Sequence, residues 1–172
     1  SQTVPGYDKE RGWKRICGLI IPIFSPEGQC WALKVKNDSG NPKYFWYSSS
    51  GNLGKVFAYN CKGKPNSIRV VEGILKSTLA HAVLARKEQD FATIGIGGVS
   101  VWKGVADYYK GRKQRFIISF DQDGKQATTA EIEKFREVLL EDGHEVAVEL
   151  WDPKDGKGID DVLVAGKPTR II

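Results

Sequence analysis

At 172 residues the chain can bury one sizeable core with a small extension, and 41% hydrophobic against 27% charged residues is the balance of a folded domain, not of a disordered one. No apolar run in it is long enough to span a bilayer, and no signal-peptide pattern, heptad array or internal repeat is visible. The net charge of +5 is unevenly spread: residues 1–69 hold 11 Lys+Arg against 4 Asp+Glu, whereas residues 70–172 hold 15 against 17.

The basic front reads as a small antiparallel unit. Cys17 to Phe24 and Cys30 to Val35 flank the turn Ser25-Pro26-Glu27-Gly28, and strands over Lys43 to Tyr47 and Val56 to Tyr59 follow after Gly, Asn and Ser punctuation. Lys, Gly and Pro then cluster from Cys61 to Ser67, so a boundary is expected there, between a β-rich subdomain at 1–66 and an α/β domain at 67–172. In the front unit Lys34, Lys36, Lys43 and Lys55 mix with Trp31, Tyr44, Phe45, Trp46 and Tyr47. That combination of backbone attraction and stacking faces suits single-stranded DNA. The competing reading is that the aromatics pack the sheet and the lysines are simply solvated.

Beyond the boundary, strands and helices alternate. Ile68 to Val71 ends in Glu72-Gly73 and leads into a helix over Ile74 to Leu84, with Leu75, Leu79, Ala82 and Val83 sharing a face. Ala92 to Ile96 breaks at Gly97-Gly98, and Phe116 to Phe120 runs into Asp121-Gln122-Asp123. The next helix carries a Thr128/Glu131 capping box, a face of Ile132, Phe135 and Leu139, and Gly143 as its stop. Glu145 to Trp151 runs into Asp152, and Lys157-Gly158-Ile159-Asp160-Asp161 opens a short helix through Val164. This pattern predicts a Rossmann-like open parallel sheet, with ligands bound beyond the carboxyl ends of its strands. Glu72, Gly97-Gly98, Asp121/Asp123 and Asp152 each follow such an end.

Asp121 and Asp123, two apart at the end of a strand, point the same way. At ~4 Å and an effective dielectric of ~20 such charges repel by about 4 kcal/mol, which asks for a cation. Hard carboxylate oxygens suit Mg²⁺ or Mn²⁺, and Glu72 could serve as a base for a 3′-hydroxyl. The same Asp-x-Asp could instead be a turn, and Glu72 a first-turn helix acid. Gly97 and Gly98 with Ser100 either let a phosphate approach or form an ordinary loop; Gly95-x-Gly97-Gly98 lacks the third glycine of a dinucleotide fingerprint. Lys76, one turn past Glu72, either contacts phosphate or neutralises the acids in place of a metal. Asp160 and Asp161 are metal ligands or first-turn acids of their own helix. His81 and His144 read as surface or core residues. Cys17, Cys30 and Cys61, odd in number and widely spaced, argue against zinc or disulfides and for a reducing cytoplasm.

Val71-Glu72-Gly73, the glycine turn after the second strand, Phe120-Asp121-Gln122-Asp123 and Lys157-Gly158-Ile159-Asp160-Asp161 together resemble the Toprim domain of bacterial primases, topoisomerases and some nucleases, over Ile68 to Ile172. The wording Glu-Gly-x-x-Lys followed by Ile94-Gly95-Ile96-Gly97-Gly98-Val99-Ser100-Val101-Trp102 is similar to a primase-like Toprim subfamily of replication proteins. The resemblance implies a catalytic glutamate at Glu72, a metal pair at Asp121 and Asp123, and a further acidic motif at Asp160 or Asp161. It also implies a DNA primase-like nucleotidyltransferase using Mg²⁺ or Mn²⁺, a single-stranded DNA template and nucleoside triphosphates. Lys76 departs from the family, because many primases and topoisomerases carry an acidic residue there. The alternatives are a Toprim-type metal-dependent DNA nuclease and a non-catalytic single-stranded DNA-binding module. With Ser1 first and no methionine, the chain is expected to be a domain of a longer protein, such as one carrying a helicase.

Overall fold

In the computed structural model, residues 7–8, 12–13, 17–47 and 55–172 are described, the first two pairs by their backbone alone. The chain forms two compact units, Ser1–Val56 and Phe57–Ile172.

In the first unit, β1 (Tyr7–Asp8) and β2 (Gly12–Trp13) form one antiparallel pair. β3 (Gly18–Phe24), β4 (Cys30–Asn37) and β5 (Tyr44–Trp46) form a three-stranded antiparallel sheet. The expected turn joins β3 to β4. Ser25 Oγ accepts the N–H groups of Glu27 and Gln29 at 3.2 and 3.3 Å, and Gly28 takes the positive φ of 77° that closes it.

The second unit is built on a six-stranded sheet in the order β11-β10-β9-β7-β8-β6. Its centre is parallel: β7 (Ser67–Glu72), β8 (Phe91–Ile96), β9 (Arg115–Ser119) and β10 (Glu145–Leu150). β6 (Ala58–Lys62) and β11 (Arg170–Ile171) close the two edges antiparallel. The Rossmann-like open sheet expected from the strand-helix alternation is therefore present. The strand expected over Val56 to Tyr59 forms later, as β6 over Ala58–Lys62, and pairs with β8 in this sheet, so the division falls at residue 56, ten residues ahead of the expected boundary. Local strand patterning identifies a strand without specifying its partner, and β6 found its partner downstream.

Four helices cover the sheet: α1 (Ile74–Leu84), α2 (Lys103–Tyr109), α3 (Gln126–Glu141) and α4 (Ile159–Val164). Side chains alternate across each strand, so Val71 and Phe120 serve opposite faces. On one face Val71 packs with Ala80 of α1, Ile159 and Val162 of α4, and Trp151. On the other, Phe135 of α3 stacks on Trp102 and Phe120 at 5.2 and 6.1 Å between ring centroids, and Phe116 meets Tyr109 edge-on.

Two helix readings are corrected. The buried side of α1 is Ile74, Ser77, Ala80 and Leu84, while Leu79 is exposed. The reason is close approach: a Cβ on Gly95 of β8 would sit 2.9 Å from Ile74 Cα and against Ser77, so small side chains face the sheet where leucines were expected. α3 begins two residues before Thr128, and the expected capping box does not form. Thr128 Oγ1 donates to Asp123 at 3.1 Å and Glu131 accepts from the Trp102 indole N–H at 2.8 Å. The stop is as expected, with Gly143 at φ 82°.

One buried polar row had no counterpart in the sequence reading. Glu149 of β10 receives Arg69 Nε of β7 at 2.7 Å, Ser119 Oγ of β9 at 2.6 Å and Thr169 Oγ1 at 2.8 Å. Charge and lone pairs are satisfied inside the core, the condition for burying a carboxylate at all.

Candidate active site

The chain runs from β7 to β8 on one side and then crosses back to β9 on the other side of β7. The carboxyl ends of β7 and β9 therefore flank a topological switch point, where open α/β sheets bind ligands. Glu72 is the last residue of β7 and Asp121 lies two residues past the end of β9.

Gly73 makes the turn from β7 into α1. Its φ of 109° is unfavourable for any residue with a Cβ, and its N–H donates to Ile96 O at 2.8 Å, tying the end of β7 to that of β8. The turn aims Lys76, in the first turn of α1, across the strand ends. Its ammonium donates to both oxygens of Asp121 at 2.7 Å. Gln122 N–H donates to Lys157 O at 3.0 Å and draws the segment before α4 to the same edge, where Lys157 Nζ lies 3.5 Å from Asp121 Oδ2. Asp121 is thus a buried carboxylate, 4% exposed, held between two lysines.

Glu72 is half-buried, and burial pushes its carboxyl above the ordinary range; the Asp121 charge adds to the rise, while Lys76 and Lys157 oppose it. Asp123 behaves in the opposite way. Its salt bridge to Lys125 Nζ at 2.8 Å, the Lys125 backbone N–H at 3.1 Å and the Thr128 hydroxyl hold it down at about 2. β9 ends at Ser119, so Asp121 and Asp123 lie in the following loop and take different partners, unlike two neighbours on one strand.

Asp160 reaches the same edge. A Cβ on Gly158 would lie 2.9 Å from Lys76 Nζ, 3.3 Å from Asp121 Oδ1 and directly against Asp160 Oδ1. That oxygen is buried without a hydrogen-bond partner, and burial raises the Asp160 carboxyl, with Asp161 adding to the rise. Asp161 turns back to its own helix and accepts Gly158 N–H at 3.4 Å. Asp152 is exposed and accepts Lys154 N–H at 2.9 Å, turning the chain after β10.

Gly97, Gly98 and Ser100 form an open segment after β8, entering the short 3-10 turn Val99–Val101, and nothing lies within 4 Å of a Cβ placed on Gly98. In the first unit, Lys34, Lys36, Tyr44 and Trp46 share one face of the three-stranded sheet by register. Lys34 Nζ lies 5.3 Å from the Tyr44 ring centre and 5.1 Å from that of Trp46, and Lys43 Nζ is 5.7 Å from Tyr44. Burial lowers the Lys34 ammonium below its ordinary value. Lys55 is exposed, at the end of this unit.

Lys157 and Gly158 join the site through the tertiary fold, whereas the motif Lys157-Gly158-Ile159-Asp160-Asp161 points in sequence only to their segment. Among the described residues no three His, Cys, Asp or Glu side chains converge to hold a metal ion. Nor is any described helix long and apolar enough to cross a membrane.

The fold is that of primase fragments. A structure of the bacteriophage T7 lagging-strand DNA polymerase interacting with primase domains of two gp4 subunits, bound to an RNA/DNA hybrid and dTTP, is similar at a TM-score of 0.61 and 19% identity, over 86% of this chain and 70% of that one. The primase fragment of the bacteriophage T7 primase-helicase protein is similar at 0.59 and 18%, over 86% of this chain and 57% of that one. Over residues 60–169 the chain matches the family model described as Domain of unknown function (DUF3854), and it belongs to that family. No curated protein matches.

Proposed function

We propose that the domain carries out primase-type nucleotidyl transfer on single-stranded DNA, using nucleoside triphosphates and Mg²⁺ or Mn²⁺, as part of a longer replication protein in the cytoplasm. The observation that carries this reading is the gathering of Glu72, Lys76, Asp121 and Asp160 at the switch point between β7 and β9. The similar T7 primase domains, bound to an RNA/DNA hybrid and dTTP, support this reading.

Glu72, raised above the ordinary range by burial and Asp121, is suited to take the proton of an attacking 3′-hydroxyl. Lys76 and Lys157 supply positive charge for phosphate, with the open Gly97-Gly98-Ser100 segment leaving room for it. The donors fit a divalent ion: all are hard oxygens, one of them, Asp160 Oδ1, is buried without a partner, and Mg²⁺ is usually held by one or two carboxylates together with substrate phosphates. Asp121 and Asp160 would hold it together with substrate phosphates; Asp123, held by Lys125 and Thr128, and Asp161, turned into its own helix, would not. Bound there, it would neutralise charge on the transferring phosphoryl group. Lys34, Lys36, Lys43 and Tyr44, with Trp46, would hold the template strand in the first unit, and the exposed Lys55 would add to its positive charge.

The second reading is a non-catalytic single-stranded DNA-binding module, favoured by the lysine that already neutralises Asp121. Labelled single-stranded DNA incubated with Mg²⁺ or Mn²⁺, with and without nucleotides, separates the readings. Products that need nucleotides and vanish in Asp121→Asn/Asp123→Asn support primer synthesis. Metal-dependent shortening without nucleotides makes the domain a nuclease, and binding with neither product supports the module.

A further inference from the structure

The acids at the sheet edge do not stand ready as a metal cage. Both oxygens of Asp121 are engaged by one ammonium at 2.7 Å, and Asp123 is spent on Lys125 and Thr128. The lysine is not locked in place, however. A third of the Lys76 side chain is solvent-exposed while Asp121 is 4% exposed, so the ammonium has a way out that the carboxylate does not. Two glycines flank its path. A Cβ on Gly73 would press at 3.2 Å on Lys76 Cγ and Cδ, and one on Gly158 would come within 2.9 Å of Nζ. When Lys76 leaves, Lys157 at 3.5 Å remains as partial compensation.

We propose that Lys76 is a resident counter-ion that competes with a divalent ion for Asp121 and is drawn off by a triphosphate, so that metal and nucleotide load together. The inference rests on the nucleotidyl-transfer reading and adds an order of assembly to it. Without nucleotide, Asp121 is neutralised by its own chain and binds the ion weakly. With nucleotide, the ammonium exchanges one oxyanion partner for another, and the freed carboxylate, with the unpartnered Asp160 oxygen beside it, accepts the ion. Two ligands that each displace the same internal contact favour one another reciprocally.

Two binding measurements on wild type, Lys76→Gln, Lys76→Arg, Asp121→Asn and Lys76→Gln/Asp121→Asn test this, with each variant's fold checked by circular dichroism. In the first, Mn²⁺ alone is titrated and the free ion is read by electron paramagnetic resonance. Lys76→Gln should bind about tenfold tighter than wild type, the scale of ordinary site-to-site coupling, and the gain should vanish in the double variant. In the second, a fluorescently labelled non-hydrolysable triphosphate is titrated in EDTA. Asp121→Asn should bind it tighter than wild type because Lys76 is released, and the double variant should lose that gain. Lys76→Arg, which keeps the charge, should follow wild type in both. If wild type and Lys76→Gln bind Mn²⁺ equally and both depend on Asp121, the exchange is wrong while the metal-dependent reading survives. Mn²⁺ binding that ignores Asp121 in every variant overturns both.

Discussion

Lys76 reaches Asp121, 45 residues further along the chain, and gives its ammonium to both carboxylate oxygens at 2.7 Å. This bond pins the start of α1 to the loop after β9 and sets the charge of the whole edge. Removing the lysine leaves a buried carboxylate with only Lys157 at 3.5 Å. Lys76→Ala should destabilise the domain by about 2 kcal/mol, below the range for breaking a fully buried pair because the lysine is partly solvated. Urea denaturation measures this, and Lys76→Ala/Asp121→Asn should recover part of the loss.

Glu72→Gln tests the base. Primer synthesis should fall by roughly 10² to 10⁴, the usual contribution of a positioned acid or base, with template binding unchanged. Since burial and Asp121 raise the Glu72 carboxyl, the wild-type rate should fall on acidification at a pH above the ordinary glutamate value of 4.5. A pH-rate profile with that limb missing would remove Glu72 from the role.

Gly95→Ala probes the approach of α1 to β8. The new methyl would lie 2.9 Å from Ile74 Cα, a backbone atom that can yield only if the helix moves. A loss of about 1–3 kcal/mol is expected, the cost of overpacking a core, and thermal melting reads it. Because α1 carries Lys76, activity should fall as well.

His81 supplies a pH dependence away from the site. It packs against Phe91 in a tilted arrangement at 4.7 Å between ring centres, and burial followed by the Lys62 charge lowers it below 6.5. The folded state therefore takes up the proton at lower pH than the unfolded chain, which binds more protons across that interval, so stability rises with pH there and is lost as pH falls from about 7 through the folded value. His81→Gln should flatten this slope in urea melts between pH about 7.5 and 5.5, whereas an unchanged slope assigns it to other groups.

Template contact is tested in the first unit. Tyr44→Ala and Trp46→Ala should each weaken single-stranded DNA binding by about 1–3 kcal/mol if a base stacks there. Replacing Lys34, Lys36 or Lys43 should instead shallow the salt dependence of binding. Fluorescence anisotropy at several ionic strengths separates the two effects.

Sequence determined the elements wherever local physics decides them. The parallel strands are apolar runs bounded by Gly and Asp, α1 spans the expected Ile74 to Leu84, and α3 stops at Gly143. Because strands alternate with helices, the same patterning was enough to bring Glu72 and Asp121 to one edge. Tertiary structure alone decided what depends on partners far apart in the chain: β6 joined the second sheet, and Ser77 and Ala80 displaced leucines from the buried face of α1. It also decided the charge state of the edge. Glycine at 73 and 158 leaves the space through which a lysine reaches Asp121, and whether an ammonium fills such a space depends on three-dimensional distance, which no residue spacing records.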